Sequence, residues 1–546
     1  MFFPQLLIFF VSVVLISISI SGYGSLIKIG IKKNFSLNIF LGFIVISLVV
    51  TFIHFFIKIS FLISFLIFLT GILIFLIKKN LDFDTFFNKK LIYYFIIILL
   101  FIPIYLSQKY HEDFGYYHLP YAIGFIEEKI IFGFSNINAA YVYNSLWLNI
   151  YPIFFLQDKN FDFLTLPSFI LYVSFILYSF NQIISKKNLI SSDYYLVVTL
   201  FYFLLKFTRI SEFGVDLPAV IFSILGIYYF FKFSETELVN DRKNYFFLII
   251  IFSIFSILIK LSTIPIIFLS LYLYIKYFRI LKFSIFSFRY LLVYFLLTNF
   301  LIQQFIYTGC FFFPTNLTCF NVSWFNQDYL KISQNLELVN KSYNLARDIY
   351  TPEEYLKNLN WIYFWFKRSF IEILEHFLTI LFPSILFLFF LKKKKDNRFF
   401  FRESISMYIF LFVGLIFWLH FSPVYRFAIH LFLTFIFMLL LNFFYFKEFS
   451  KKVFIIFFSI FILFNFSKNF LRLNKENDIY FGIQKIHNKY LENIQYSNKH
   501  AKIFAPDVKN NSQNGWQGIL CWDIPFICSK KNLNIYKKNN YLFLIE

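Results

Sequence analysis

Two adjacent carboxylates with an imidazole on either side stand in the segment His111-Glu112-Asp113-Phe114-Gly115-Tyr116-Tyr117-His118. Such a set can supply a general base, a metal ligand, or both. A solvated cluster at a bilayer edge has the same composition and needs no chemistry. Further along, Ser211-Glu212-Phe213-Gly214-Val215-Asp216-Leu217-Pro218 puts Asp216 at the start of an apolar run. There it can bind a ligand or simply cap a helix N-terminus. Lys260, followed by Leu261-Ser262, sits inside the end of another run, where it can snorkel or pair with Asp216 or a phosphate. Arg426, in His420-Phe421-Ser422-Pro423-Val424-Tyr425-Arg426, is either an interface anchor or a fork that grips a phosphate or carboxylate bidentately. Asn144, Ser145 and Trp147 follow Glu127 and Glu128 with helical spacing. That stretch suits a helix lying in the interface, and its amides and indole could equally stack on and hydrogen-bond a sugar.

The composition says what must position these groups. The chain is 59% hydrophobic, 25% aromatic and 15% charged, against roughly 45–50% apolar and 25% charged in soluble proteins. Apolar runs of about 15–22 residues recur, which is bilayer length. They fall near 3–22, 36–56, 60–77, 91–107, 162–184, 193–209, 217–232, 244–262, 264–277, 290–307, 372–391, 404–420, 427–446 and 453–467. The predicted fold is therefore an all-α polytopic membrane protein of about fourteen transmembrane helices, with residues 137–156 as an amphipathic helix on the outer surface. Met1-Phe2-Phe3-Pro4 has no basic n-region, so the first run is expected to stay as a helix.

The net charge of +21 comes from short clusters between apolar runs rather than one basic face, which argues against nucleic acid. If the first run crosses from outside to inside, Lys28/Lys32/Lys33, Lys78/Lys79/Lys89/Lys90, Lys186/Lys187, Arg242/Lys243, Lys276/Arg279/Lys282, Lys392 to Lys395 and Lys447/Lys451/Lys452 share one side. The positive-inside rule makes that side cytoplasmic. The outer side then holds loops 108–161 and 308–371, the turns at 211–216 and 422–426, and the tail from about 468. Cys310, Cys319, Cys521 and Cys528 all fall there, where oxidising conditions favour disulfides, the two local pairings being simplest. The tail is expected to form a small outer-face α/β segment over the mouth.

The order Asp113-x-Gly-x-Tyr-His-x-Pro120, Asn144-Ser-x-Trp147, Asp216-Leu-Pro218, Lys260-Leu-Ser262, Thr308-Gly309, Phe313-Pro314, Pro423-x-x-Arg426-Phe427 and Cys521-Trp-Asp-x-Pro-x-x-Cys528 resembles a family of bacterial multi-pass membrane proteins whose biochemistry is unsettled. The resemblance runs from about residue 90 to the C-terminus. The family's layout is similar to the GT-C membrane glycosyltransferases, which carry an acidic residue in the first outer loop of their core and use polyprenyl-phosphate-linked sugars. The resemblance implies three regions: an N-terminal extension (1–90), a GT-C-like transmembrane core (91–467) and a C-terminal extracytoplasmic domain (468–546). It implies Asp113 as general base, with Glu112 and His118 orienting it or sharing an Mg²⁺ or Mn²⁺ ion through Asp113 and His118. Lys260 and Arg426 would hold the donor phosphate, and Asp216, Tyr117, Asn144 and Trp147 the sugar or acceptor. The partners implied are the bilayer, the lipid-linked sugar, and a glycan, lipid or protein acceptor outside the bacterial inner membrane. A transporter or flippase of lipid-linked glycans, or a ligase or polymerase, is the competing reading. Transporters place charges near the midplane and carry internal repeats, and neither pattern is evident in the sequence.

Overall fold

The computed structural model describes residues 2–78, 89–107, 113–155, 163–207, 214–393, 403–445, 447–475, 491–497, 502–506, 521, 526–529 and 533–545. His111 and Glu112 lie outside these residues, as do Glu212, Lys394 and Lys395. The chain is built from α1 (Phe2–Ser25), α2 (Phe35–His54), α3 (Phe61–Lys78), α4 (Lys89–Leu106), α5 (Leu119–Glu127), α6 (Leu166–Ile184), α7 (Ser191–Lys206), α8 (Asp216–Glu235), α9 (Val239–Ile259), α10 (Ile267–Lys276), α11 (Phe278–Leu281), α12 (Leu291–Thr308), α13 (Asp328–Asn340), α14 (Pro352–Lys357), α15 (Trp361–Phe390), α16 (Ser404–Phe421), α17 (Ile429–Tyr445) and α18 (Lys451–Leu473). Each of the fourteen apolar runs falls on one of these helices. Among the described residues, ten helices are long and apolar enough to cross a membrane, and the stretches 94–106, 261–276 and 429–444 are shorter apolar ones. The protein is a multi-pass membrane protein living in a lipid bilayer.

Charge sorts the helix ends into two sets. At one end Lys186 and Lys232 flank the buried Asp193 at 2.5 and 3.4 Å, Lys276 reaches Glu403 at 2.7 Å, and Arg289 donates to Asn244. At the other end His54 meets the Glu128 carbonyl, and Asp216, Lys260 and Arg426 gather. The predicted basic side is the first of these.

Two expectations need correction. Residues 137–156 are not an amphipathic surface helix. They form short 3₁₀ turns at Ala139–Val142 and Leu148–Phe154, and every residue of the second is buried. The reason is polar: Asn149 accepts from Tyr121 at 2.6 Å and donates to Thr51 and Gln303 at 2.8 Å, and Asn144 donates to Gln303 at 2.9 Å. Amides paired to one another can be buried, and leave no wet face. α15 begins at Trp361, eleven residues before the predicted 372, so it projects beyond the bilayer-length run. In the tail, the last helix ends at Leu473 and the described residues beyond 490 include four strands. β1 (Leu491–Ser497) pairs with β2 (Lys502–Pro506), and β3 (Asn534–Lys538) with β4 (Tyr541–Ile545).

The core does not break at residues 90 or 467, for one apolar cluster runs from Phe9 to Leu544. α2 packs on α6, α12 and the 148–154 turn. α1 lies against α2 and α3 through glycines: a Cβ on Gly22 would stand 1.9 Å from the Gly71 carbonyl oxygen, and one on Gly42 1.9 Å from that of Ile20. Small residues let membrane helices approach closely. Gly22→Ala is therefore expected to force α1 and α3 apart and cost about 1–3 kcal/mol, read as a lower thermal midpoint in detergent. An unchanged midpoint would mean that the glycine contact is not a packing constraint.

Candidate functional site

Four charged side chains converge, each delivered by a helix end. Asp216 opens α8 and Lys260 follows the last residue of α9. These helices pack closely and antiparallel because the facing residues are small: Ser223 bonds Ser256 at 2.7 Å, and a Cβ on Gly226 would meet Ser253 Oγ at 3.1 Å. Lys260 itself is extended (φ −153°, ψ 118°), and Thr263 caps its carbonyl at 2.9 Å. The break predicted between the 244–262 and 264–277 runs thus aims the ammonium sideways. Lys260 Nζ pairs with Asp216 Oδ1 and lies 3.4 Å from the centre of the Phe427 ring.

Arg426 sits in the turn between α16 and α17. Two indoles pin that turn: Trp365 donates to the Pro423 carbonyl at 2.5 Å and Trp418 to that of Val424 at 2.8 Å. From there Arg426 Nε lies 3.2 Å from Asp216 Oδ2, and Nη2 lies 3.8 Å from Asp113 Oδ2. Asp113 precedes a π-helical turn, Phe114–His118, that runs straight into α5. Such insertions re-aim side chains, often at functional sites. His118 is buried, with its ring edge-on to Tyr117 at 4.2 Å, and Gly214, just before Asp216, would place a Cβ 3.8 Å from its Cε1.

Side-chain exposure is 19% for Lys260, 29% for each carboxylate and 38% for Arg426. The group is therefore largely withdrawn from water yet open on one side. Burial pushes Lys260 down to about 8, helped by repulsion from Arg426 and only partly offset by Asp216 and Asp113. Burial also works against the charge on Arg426, but Asp216 and then Asp113 hold its pKa above the ordinary value. Burial, then the Asp113 charge, raises Tyr116 above an ordinary phenol, so it stays a hydroxyl.

Asn144 and Trp147 are not part of this group. Trp147 is fully buried with its indole donating to Tyr151 at 2.8 Å, and Asn144 belongs to the amide network. The Asn144 amide and the Trp147 indole N–H are thus engaged within the fold. Glu112 lies outside the described residues, and among the described residues no three His, Cys, Asp or Glu gather as a metal site. Both local disulfides form, Cys310–Cys319 and Cys521–Cys528. The second docks on the site's own backbone: Cys521 N–H donates to the Gly115 carbonyl at 3.0 Å, and Phe526 N–H to Glu127 at 3.2 Å.

Sequence reasoning missed Phe427 as a platform for Lys260, and Tyr425, whose ring lies 4.3 Å from that of His376, itself bonded to Tyr202 at 2.7 Å. Only their adjacency to Arg426 could have pointed to them.

Because burial outweighs pairing at Lys260, its charged form costs stability below about pH 8, and that cost is relieved as pH rises from there toward the ordinary 10.5. Lys260→Met removes that cost but leaves Asp216 with Arg426 as its cation, so it is expected to lower the thermal midpoint at pH 7 less than Arg426→Met does. Wild type should gain on this variant as pH climbs. Arg426→Met strands two carboxylates and should cost about 1–3 kcal/mol after allowance for its exposure. A larger loss in Lys260→Met than in Arg426→Met would overturn this ranking.

Comparison with curated proteins and with solved structures returned no match. Residues 6–433 match the family model described as Domain of unknown function (DUF8201). The match runs from the first helix, through all four charged residues, into the helix after Arg426, and covers well over half of the sequence; the chain belongs to the DUF8201 family.

Proposed function

We propose that this protein is a GT-C-like membrane glycosyltransferase acting on the periplasmic face of a bacterial inner membrane, with a polyprenyl-phosphate-linked sugar as donor. The observation that carries the reading is the meeting of Asp113, Asp216, Lys260 and Arg426 at the helix ends opposite the lysine-rich side. A lipid phosphate keeps its charge at the bilayer edge, which is where these helix ends lie if the basic clusters face the cytoplasm.

With no donor, the two cations neutralise the two carboxylates. An arriving phosphate takes Lys260 and the open side of Arg426, whose fork suits phosphate oxygens. Asp113 then accepts the proton of an acceptor hydroxyl. The acceptor oxygen attacks the anomeric carbon as its bond to the phosphate oxygen breaks, and the lipid phosphate leaves with the bonding pair, held by the same cations. Asp216 keeps Lys260 and Arg426 in place and, with Tyr117, faces the sugar. Lys260 and Arg426 meet the developing charge on the departing phosphate, and Asp113 and His118 would be the residues to hold an Mg²⁺ or Mn²⁺ ion.

In proteoliposomes supplied with labelled polyprenyl-phosphate sugar, Asp113→Asn is expected to lower transfer by roughly 10²–10⁴-fold, with insertion unchanged. Full transfer by that variant would sink the catalytic assignment. Transfer is also expected to decline as pH rises through about 8, where Lys260 loses its charge, and Lys260→Met should abolish that limb. Movement of the labelled lipid between leaflets with no new glycosidic bond would favour the flippase reading.

A further inference from the structure

The loop closed by Cys310–Cys319 stands apart from the charge cluster. From Thr308 to Phe325 it contains no Asp, Glu, Lys or Arg. Yet three of its apolar side chains are bare: Leu317 is 97% exposed, Phe312 55% and Phe320 52%. A single exposed apolar residue needs no explanation, whereas a contiguous group does.

The helix leading into the loop shows what this group continues. Along α12, Leu291, Phe295, Thr298 and Ile302 are exposed at intervals of three and four residues, which draws one stripe down the helix. In a membrane helix that stripe is its lipid face. The next position in the series is Phe305, whose ring stacks on Phe311 at 5.0 Å and meets Phe320 and Trp324 edge-on at 5.8 and 6.0 Å. The apolar stripe therefore passes from helix to loop without a polar interruption. The loop is also held in shape. Beside the disulfide, Phe311 N–H bonds the Thr318 carbonyl and Phe320 N–H that of Gly309, while Phe312 N–H bonds Thr318 Oγ1. A pre-formed tip pays little ordering entropy when it is buried.

We infer that this loop is an interfacial anchor, with Phe312, Leu317 and Phe320 seated in the headgroup–acyl boundary of the leaflet next to the charge cluster. Aromatic side chains favour that layer, and an apolar edge there lies about 5–10 Å deep. Uncharged threonine and asparagine side chains complete the tip without the penalty of placing a charge in that layer.

The test uses the full chain in lipid nanodiscs, with Leu317→Trp and the emission taken as the difference from wild type. The expected result is a blue-shifted added signal that loses most of its intensity to lipids brominated near the headgroup end of the acyl chain and little to iodide. Quenching by iodide and not by bromolipid would put the tip in water and overturn the proposal. Protection from both would mean that a second copy of the chain covers it, and would overturn it equally. Phe320→Trp gives the same reading if the first variant accumulates poorly.

Discussion

Four ionised side chains at the margin of an apolar medium are tolerable only if they meet one another, and that requirement organises much of the molecule around residues 113, 216, 260 and 426. Each charge alone would be expensive where water is scarce. Sharing Arg426 between Asp113 and Asp216, while Lys260 takes the other side of Asp216, leaves the set neutral and held together. The sharing needs four helix ends at one place. The close α8–α9 contact through Ser223, Gly226, Ser253 and Ser256 provides two of them. The extended backbone at Lys260, the turn pinned by Trp365 and Trp418, and the π-helical turn after Asp113 supply the remaining aim.

Beneath the cluster, the segment after α5 forms a second layer of constraint. Asn144, Asn149, Gln303, Tyr121 and Tyr307 satisfy each other in a network that ties α2, α5 and α12 together through Thr51. A fully satisfied polar network specifies one packing where lipid-like side chains would allow several. The tail adds to it from the far end of the sequence. Leu544 N–H donates to the Phe132 carbonyl and Phe132 N–H to that of Leu542, Asn136 donates to the Leu544 carbonyl, and the Cys521–Cys528 turn lies on Gly115. The C-terminus is thereby part of the wall around Asp113 rather than an appendage.

At the opposite helix ends the same logic gives a different result. Asp193 and Glu403 are buried carboxylates matched by Lys186, Lys232 and Lys276 together with tyrosine hydroxyls. These ion pairs close off their carboxylates, since Asp193 and Glu403 have no exposed side-chain surface. In the cluster at Asp113 the carboxylates themselves stay open, Asp113 and Asp216 being 29% exposed, and that difference is what makes it the candidate site.

Residence in the bilayer and the positions of the helices were legible in the sequence, because run length and hydropathy are properties of the chain in one dimension. The sorting of lysines from Asp113, Asp216, Lys260 and Arg426 was legible for a related reason: alternating helices carry successive connections to alternate ends. The two disulfides join cysteines nine and seven residues apart, a separation short enough for local reading. What tertiary structure alone decided is which groups touch. Asn144 and Trp147 have the residue types of a sugar site, yet amide partners on α12 and the hydroxyl of Tyr151 draw them into the core. No spacing rule announces that Phe427 lies under Lys260 or that Arg426 spans two carboxylates, because those contacts join segments more than 150 residues apart in a packing that every intervening helix helps to set.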